Sequence, residues 1–267
     1  MDQNLISIII ATKNGGRFLS RSLASIEKQT DKNLEVIIVS DGSTDNTVEI
    51  AQKMAETRPF IKVLALNQNI GPGLARNIGI KEARGKYIAL LDDDDEWLDE
   101  NKLNNQRKFL DQNPQYVLIG SNETEFVNED LKRLFVFKPE TDDRTIRSKL
   151  LLANQFVTSS VMFRKGAFEK AGGFAAMFLA EDYDQWLRLA QQGKVANLQN
   201  CLTRYYKRSN SAQSANQQQM NRIVLELIKK YQKNFPNSGL AKLKAYIRIF
   251  LKTSSGTSLV FLFGTLF

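Results

Sequence analysis

The stretch Tyr87-Ile88-Ala89-Leu90-Leu91-Asp92-Asp93-Asp94-Asp95 decides how the chain reads. Its first five residues form a short apolar run behind the breaker pair Gly85-Lys86, the pattern of a buried strand. Four carboxylates then arrive where that strand should end. They repel one another, and such a cluster at the lip of a buried sheet is costly unless a cation sits among them. Oxygen-only ligands suit hard divalent ions, Mg²⁺ or Mn²⁺, better than zinc or copper. Alternate positions of an extended segment point the same way, so Asp92 and Asp94 are placed to share one ion. The plainer alternative is a polar loop, or aspartates capping a helix that begins near Trp97. The position directly after an apolar strand favours the metal site.

Working towards the N-terminus, further apolar runs at 6–11, 34–39 and 62–66 read as buried strands. Between them, helical spacing appears over 17–28, 48–55 and 74–83. Strand and helix therefore alternate up to residue 91, which predicts a mostly parallel sheet with helices on both faces. Ligands of such sheets sit outside the carboxyl ends of the strands. The turns at those ends carry Thr12-Lys13-Asn14, Asp41-Gly42-Ser43 and the four aspartates, so all three are expected in one crevice.

Towards the C-terminus the pattern is less regular. A helix is expected over 102–111, strands over 116–121 and 133–137, a short helix over 142–153 and a strand over 159–164. Glu181-Asp182 opens a helix containing Trp186, and strands follow near 195–198 and 202–206. From Gln217 the chain reads as a helical tail. Within it Leu240, Leu243, Ile247, Phe250 and Leu251 fall on one helical face, and Lys242, Lys244, Arg248 and Lys252 lie towards the other. That is the pattern of an interfacial membrane helix, and equally of a helix packed back on its domain. The apolar run 259–267 is too short to span a bilayer, which needs about 20 residues.

Composition removes many chemistries. The 267 residues include no histidine, which excludes Ser-His-Asp hydrolysis, Cys-His nucleophiles, His-ligated zinc and histidine bases. Acid–base work falls to carboxylates, lysine or tyrosine. The single cysteine, Cys201, forms no internal disulfide. The net charge of +8 suits anionic membranes or phosphorylated ligands, and no nucleic-acid motif accompanies it. No basic region precedes an apolar run at the N-terminus, so no signal peptide is expected. Gly71-Pro72-Gly73 lacks the third glycine of a dinucleotide fingerprint, because Arg76 stands in its place. No P-loop motif is present, nor the glycine-rich N-terminal loop of a nucleotidyltransferase.

Five segments together resemble family 2 glycosyltransferases, which have the GT-A fold. They are Ser7-Ile8-Ile9-Ile10-Ala11-Thr12-Lys13-Asn14, the segment from Glu35 through Ser40-Asp41-Gly42-Ser43-Thr44-Asp45, and Asn69-Ile70-Gly71 with Ala75-Arg76-Asn77-Ile78-Gly79. The others are the acidic stretch itself and Glu181-Asp182-Tyr183-Asp184-Gln185-Trp186. They stand in family order over roughly residues 5–208.

The resemblance implies a GT-A type α/β fold: a doubly wound, mostly parallel central sheet with helices on both faces, plus a C-terminal helical tail. It implies a domain over 1–212, with a nucleotide-binding half to residue 98 and an acceptor half from 99, and a tail over 213–267. It also implies an inverting enzyme using a nucleotide-diphospho-sugar, UDP-sugar favoured, with Mn²⁺ or Mg²⁺. Asp41 matches the residue at the nucleobase edge, and Thr12 and Asn14 lie in the first nucleotide-binding turn. Asp92 and Asp94 match the DxD pair. Asp94 would ligate the metal, Asp92 would lie nearer the ribose, and Asp93 fills the middle position. Arg76 either assists with phosphates or pairs with the acidic cluster. Asp182 matches the catalytic base, with Glu181 the alternative base or an orienting partner. Arg208 stands where relatives often carry histidine near the diphosphate, and so retains a phosphate contact but not a metal ligand. The expected acceptor is a saccharide or lipid-linked saccharide in cell-surface polysaccharide synthesis. The expected location is the cytoplasmic face of the plasma membrane, with the basic tail on anionic lipid. The non-enzymatic alternative is a nucleotide-sugar-binding partner of a membrane assembly, its chemistry lost.

Overall fold

The computed structural model describes residues 2–128, 130–207 and 216–253. The first half alternates as read: β1 (Asp2–Thr12), α1 (Gly16–Glu27), β2 (Leu34–Asp41), α2 (Thr47–Glu56), β3 (Ile61–Leu66), α3 (Pro72–Glu82) and β4 (Gly85–Leu90). Along β1, Ile6, Ile8 and Ile10 enter one hydrophobic cluster and Ile9 enters another. Both faces of the strand are covered, which is why its apolar run is continuous rather than alternating. β1 pairs in parallel with β2 and β4, and β2 with β3, so the carboxyl ends of these strands share one edge.

The second half adds β5 (Glu96–Trp97), α4 (Lys102–Gln112), β6 (Tyr116–Ser121), β7 (Thr124–Val127), β8 (Arg133–Phe137), α5 (Asp143–Lys149) and a 3-10 turn at Thr158–Ser160. Then follow β9 (Met162–Arg164), α6 (Lys165–Lys170), α7 (Glu181–Leu189), β10 (Lys194–Leu198) and β11 (Thr203–Tyr206). The seven-stranded sheet runs β10-β6-β9-β4-β1-β2-β3, and β9 is antiparallel to both neighbours. The mostly parallel, doubly wound α/β sheet expected from sequence is therefore present.

A second, four-stranded sheet, β5-β11-β7-β8, stands beside the acidic turn. It was not legible as a sheet, because β7 and β5 are too short to carry a period. The strand expected over 159–164 is split. Its first residues form the 3-10 turn, where buried hydroxyls of Ser159 and Ser160 make bonds that a ladder position would not allow. The helix expected to residue 153 stops at Lys149.

In the tail, α8 (Gln217–Tyr231) buries Leu225, Leu227, Ile228 and Tyr231 in the cluster that holds Trp186 of α7. Tyr231 and Lys230 also donate to Asp184 Oδ1 at 2.8 and 2.9 Å. The last helix, α9 (Ser238–Thr253), packs on α8 through the small side chains of Ala241 and Ala245. Leu240, Leu243, Tyr246, Ile247 and Phe250 remain exposed, so much of the apolar face read from the sequence is turned away from the domain. Among the described residues no helix is long and apolar enough to cross a membrane. The terminal run 259–267 lies outside the described residues.

Candidate active site

The acidic stretch leaves β4 as a turn, not as an extended segment: Asp95 N–H donates to the Asp92 carbonyl at 3.2 Å. The exposures nevertheless alternate. Asp92 and Asp94 are partly exposed while Asp93 and Asp95 are buried. Each inward carboxylate ties the turn to a different neighbour. Thr12 at the end of β1 donates its hydroxyl to Asp93 Oδ2 at 2.5 Å. The fit there is tight, since a Cβ on Gly15 would lie 1.7 Å from that same oxygen. Asp95 accepts the Ser159 hydroxyl and, at 3.1 Å, the Tyr206 N–H of β11. Burial, then the charges of Asp94 and Asp92, push the Asp95 carboxyl well above the usual carboxylate range. Asp95, whose role sequence did not fix, thus fastens the second sheet to the first.

The other acidic motif opens α7. Ala180 precedes it with φ of 58°, a left-handed conformation that costs a non-glycine residue about 1–2 kcal/mol. Glu181 and Asp182 then occupy the helix's first turn, where the dipole favours anions. Arg76 of α3 joins the two acidic motifs. Its buried guanidinium donates to Asp92 Oδ1 at 2.7 Å and to Glu181 Oε1 at 3.0 Å. Burial works against this cation, but Asp92 and Glu181 outweigh it and hold Arg76 above its ordinary pKa. Of the two roles left open for Arg76, the structure displays pairing with the acidic cluster.

Asp182 is placed differently from Glu181. Its Oδ2 accepts the Thr158 hydroxyl at 3.1 Å and the Asn154 amide at 3.5 Å, and its Oδ1 accepts the Tyr183 N–H at 2.7 Å. The residue is partly exposed. Burial of the carboxyl raises its pKa, opposed by the Tyr183 N–H, Arg76 and Thr158. Glu181 is pushed up to about 6 by burial and then by Asp182, with Arg76 pulling the other way. Both carboxyls have raised pKa, so each is a better proton acceptor than an ordinary carboxylate.

The remaining sequence candidates line the same edge. Asp41 is buried and accepts the N–H groups of Ile70 and Gly71 at 2.7 and 2.9 Å, so it holds the loop after β3. Gly42, at φ +63°, lets that loop come close: a Cβ there would lie 2.4 Å from the backbone of Gln68 and Asn69. Asn14 bridges to the turn after β2, accepting the Thr44 N–H at 2.8 Å. The structure thus brings Thr12, Asn14, Asp41, Arg76, Asp92, Asp93, Asp94, Glu181 and Asp182 to one side of the sheet. Arg208 lies outside the described residues.

Sequence reading missed the 3-10 turn as part of this site. Thr158 bonds Asp182, while Ser159 bonds Asp95 and accepts the Asp92 N–H at 3.1 Å. Adjacent hydroxyls therefore connect both acidic motifs. The available signal was Thr158-Ser159-Ser160 inside an otherwise apolar segment, since buried hydroxyls require partners.

A profile of the family described as Glycosyl transferase family 2 matches residues 7–172. The chain belongs to that family. It is 31% identical to the UDP-Glc:alpha-D-GlcNAc-diphosphoundecaprenol beta-1,3-glucosyltransferase WfaP of Escherichia coli, over 79% of this chain and 80% of that protein. It is 32% identical to an uncharacterized glycosyltransferase of Haemophilus influenzae, over 62% of this chain and 64% of that protein. Its fold matches the mannosyltransferase PcManGT of Pyrobaculum calidifontis, solved with GDP-Man and Mn²⁺, with a TM-score of 0.68 at 17% identity over 95% of this chain and 76% of that one. It also matches residues 1–349 of Staphylococcus aureus TarS, solved with UDP-GlcNAc, with a TM-score of 0.68 at 20% identity over 92% of this chain and 72% of that one. Membership of the family makes the sheet edge described above the candidate active site of a sugar-transferring enzyme.

Proposed function

We propose that the protein transfers a sugar, with inversion, from a nucleotide-diphospho-sugar to a saccharide or lipid-linked acceptor in cell-surface polysaccharide synthesis. The observation that carries this reading is the Arg76 bridge, which sets the acidic turn after β4 against the acidic start of α7. In this reading Asp182 receives the proton of the acceptor hydroxyl. The hydroxyl oxygen bonds to the anomeric carbon as the bond from that carbon to the diphosphate oxygen breaks, and the electron pair leaves with the diphosphate. Asp182 suits the base better than Glu181, because Glu181 is buried and committed to Arg76.

Asp41, with Thr12, Asn14 and Asp93, lies on the nucleotide side, and Arg208 is assigned to the diphosphate. UDP-sugars are favoured by the name of WfaP and by the UDP-GlcNAc held by TarS. Among the described residues no three acidic or cysteine side chains form a ready metal cage. Two partly exposed aspartates still fit Mn²⁺ or Mg²⁺, which are commonly held by one or two carboxylates plus substrate phosphates. Asp94 and Asp92 would hold the ion, which would offset the charge of the leaving diphosphate. The Mn²⁺ in PcManGT supports this choice. The division into a domain over 1–212, with halves meeting at 98/99, and a tail from 213 belongs to the same reading.

We also assign the protein to the cytoplasmic face of the plasma membrane, held by α9. Its exposed Leu240, Leu243, Tyr246, Ile247 and Phe250 form an apolar face flanked by Lys242 and Lys244. The lipid-linked acceptor in the name of WfaP supports the same location.

The test is UDP titration by calorimetry with and without Mn²⁺, alongside a UDP-release assay over a panel of UDP-sugars. Metal-dependent UDP binding that Asp94→Ala abolishes is expected. Turnover should fall by about 10²–10⁴ in Asp182→Asn while UDP affinity is kept. Metal-independent binding, or full activity of Asp182→Asn, would overturn these assignments. Binding without turnover on any donor would favour the catalytically inactive partner.

A further inference from the structure

Among the aromatic side chains of the second sheet that belong to neither hydrophobic cluster, three stack on one another. Cross-strand register sets Phe126 of β7 level with Phe135 of β8 and with Tyr205 of β11, so the three share one face. The Phe126 and Phe135 rings stack at 4.5 Å between centroids and 11° between planes, and Phe126 meets Tyr205 at 4.7 Å. Phe126 and Tyr205 are half-buried and Phe135 is exposed. The opposite face of the sheet is charged: Glu125 pairs with Arg133 and Arg204, and Arg204 with Glu96. The ring on that face, Tyr206, is buried beneath the Arg21 guanidinium, 3.5 Å from its centroid, so the accessible ring surface lies on the face of Phe126, Phe135 and Tyr205.

That face leads into the candidate active site. β5 pairs with β11 at Thr203–Trp97 and Arg204–Glu96, so the next step of the antiparallel register brings Tyr205 level with Asp95 of the acidic turn. Two residues back on the same face, the Trp97 indole N–H donates to the Ser159 carbonyl at 2.6 Å, in the turn that also positions Asp182. The Tyr205 hydroxyl feels both acidic motifs. Burial first, then Asp95, Asp92, Asp94 and Asp182, raise its pKa. The row thus begins at the acids and ends at an exposed ring. The candidate nucleotide contacts Asp41 and Asn14 lie instead at the ends of β1 and β2, in the other sheet.

We propose that Tyr205, Phe126 and Phe135 form the acceptor subsite, a platform against which saccharide rings of the acceptor pack while the reacting hydroxyl reaches Asp182. This rests on the glycosyltransferase reading above. A sugar ring carries C–H groups on its faces and hydroxyls on its rim. Aromatic surface with a negatively charged π-face takes up the former, while the acids at the inner end take up the latter. The commitment is to the saccharide, with continuity to the catalytic cleft as the reason. The lipid of a lipid-linked acceptor and the nucleobase of the donor are the competing occupants.

The test separates the acceptor side from the donor side. Saturation-transfer NMR with the methyl glycosides of glucose, galactose and N-acetylglucosamine, UDP and the diamagnetic Mg²⁺ present, reads saccharide binding without any lipid. Calorimetry with UDP and Mn²⁺ reads the donor side. Wild-type protein is expected to bind at least one glycoside. Phe135→Ser and Phe126→Leu are expected to weaken that binding tenfold or more, with UDP affinity changed less than twofold. Undiminished glycoside binding in both variants overturns the platform. So does wild-type protein that binds UDP but none of the glycosides, which is the outcome for a lipid-binding face. A parallel loss of UDP affinity in both variants overturns it in favour of a nucleobase contact or a structural role. Wild-type protein that fails to bind UDP at all overturns the glycosyltransferase reading instead.

Discussion

Replacing Glu181 by Gln tests whether the Arg76 bridge is a stabilising contact or a cost borne by the site. Glu181 is buried, and its carboxyl titrates at about 6 in the folded protein against 4.5 for the free group. Burial and Asp182 therefore outweigh the attraction of Arg76. A carboxyl whose pKa is raised on folding binds more protons folded than unfolded between these two values. Its contribution to stability is fully present below pH 4.5 and is lost as pH rises through 6. At 1.36 kcal/mol per unit, this amounts to about 2 kcal/mol.

Glutamine keeps the shape and a carbonyl acceptor for Arg76, but does not titrate. Urea unfolding of both proteins at pH 4 and pH 8 should show the stability of Glu181→Gln, relative to wild type, rising by about 2 kcal/mol between the two. Comparison with wild type at each pH removes from the difference the carboxyls that do not interact with Glu181. A relative stability that stays flat or falls would falsify the argument, since the ion pair would then be net favourable when charged. The same variant addresses catalysis. With Asp182 as base, Glu181→Gln should retain turnover within about tenfold, whereas loss on the scale expected of Asp182→Asn would move the role to Glu181.

Other consequences follow from the same geometry. Thr158→Val removes the hydroxyl that stabilises the ionised Asp182, so the acid limb of the kcat/KM profile should move to higher pH; an unmoved limb would detach Thr158 from the base. Gly42→Ala should cost about 2 kcal/mol or more by urea midpoint and weaken UDP binding, since its Cβ meets backbone rather than a movable side chain; an unaltered midpoint would show that the loop after β3 yields. Lys102 is fully buried above Trp97, and burial lowers its pKa to about 7 from 10.5. The cost of its charge is complete below pH 7 and fades as pH rises towards 10.5, so Lys102→Met should be more stable than wild type by about 2–4 kcal/mol at pH 6, with a smaller advantage at pH 9. A variant less stable than wild type at pH 6 would contradict that sign.

Local sequence determined the parts whose signal is periodic. The apolar runs that became β1, β2 and β4 could be read because a strand covered on both faces has little room for polar side chains. Their order fixed the parallel sheet, and the sheet fixed which turns would meet. The acidic stretch also paired Asp92 with Asp94, and these two are the partly exposed aspartates, although the chain bends there instead of running extended.

Tertiary structure decided the partners. Arg76 and Glu181 stand 105 residues apart, and nothing in either segment specifies that one guanidinium spans both acidic motifs. Thr158 and Ser159 acquired their roles only because β9 enters the sheet antiparallel and brings the preceding turn between the acids. The helical pattern of α9 gave an apolar face but not its direction. Close approach of Ala241 and Ala245 to α8 left the larger side chains outward. Periodicity encodes the element and the face it buries within a few residues. Which groups then touch across that face depends on how elements from distant parts of the chain are stacked, and no single segment carries that information.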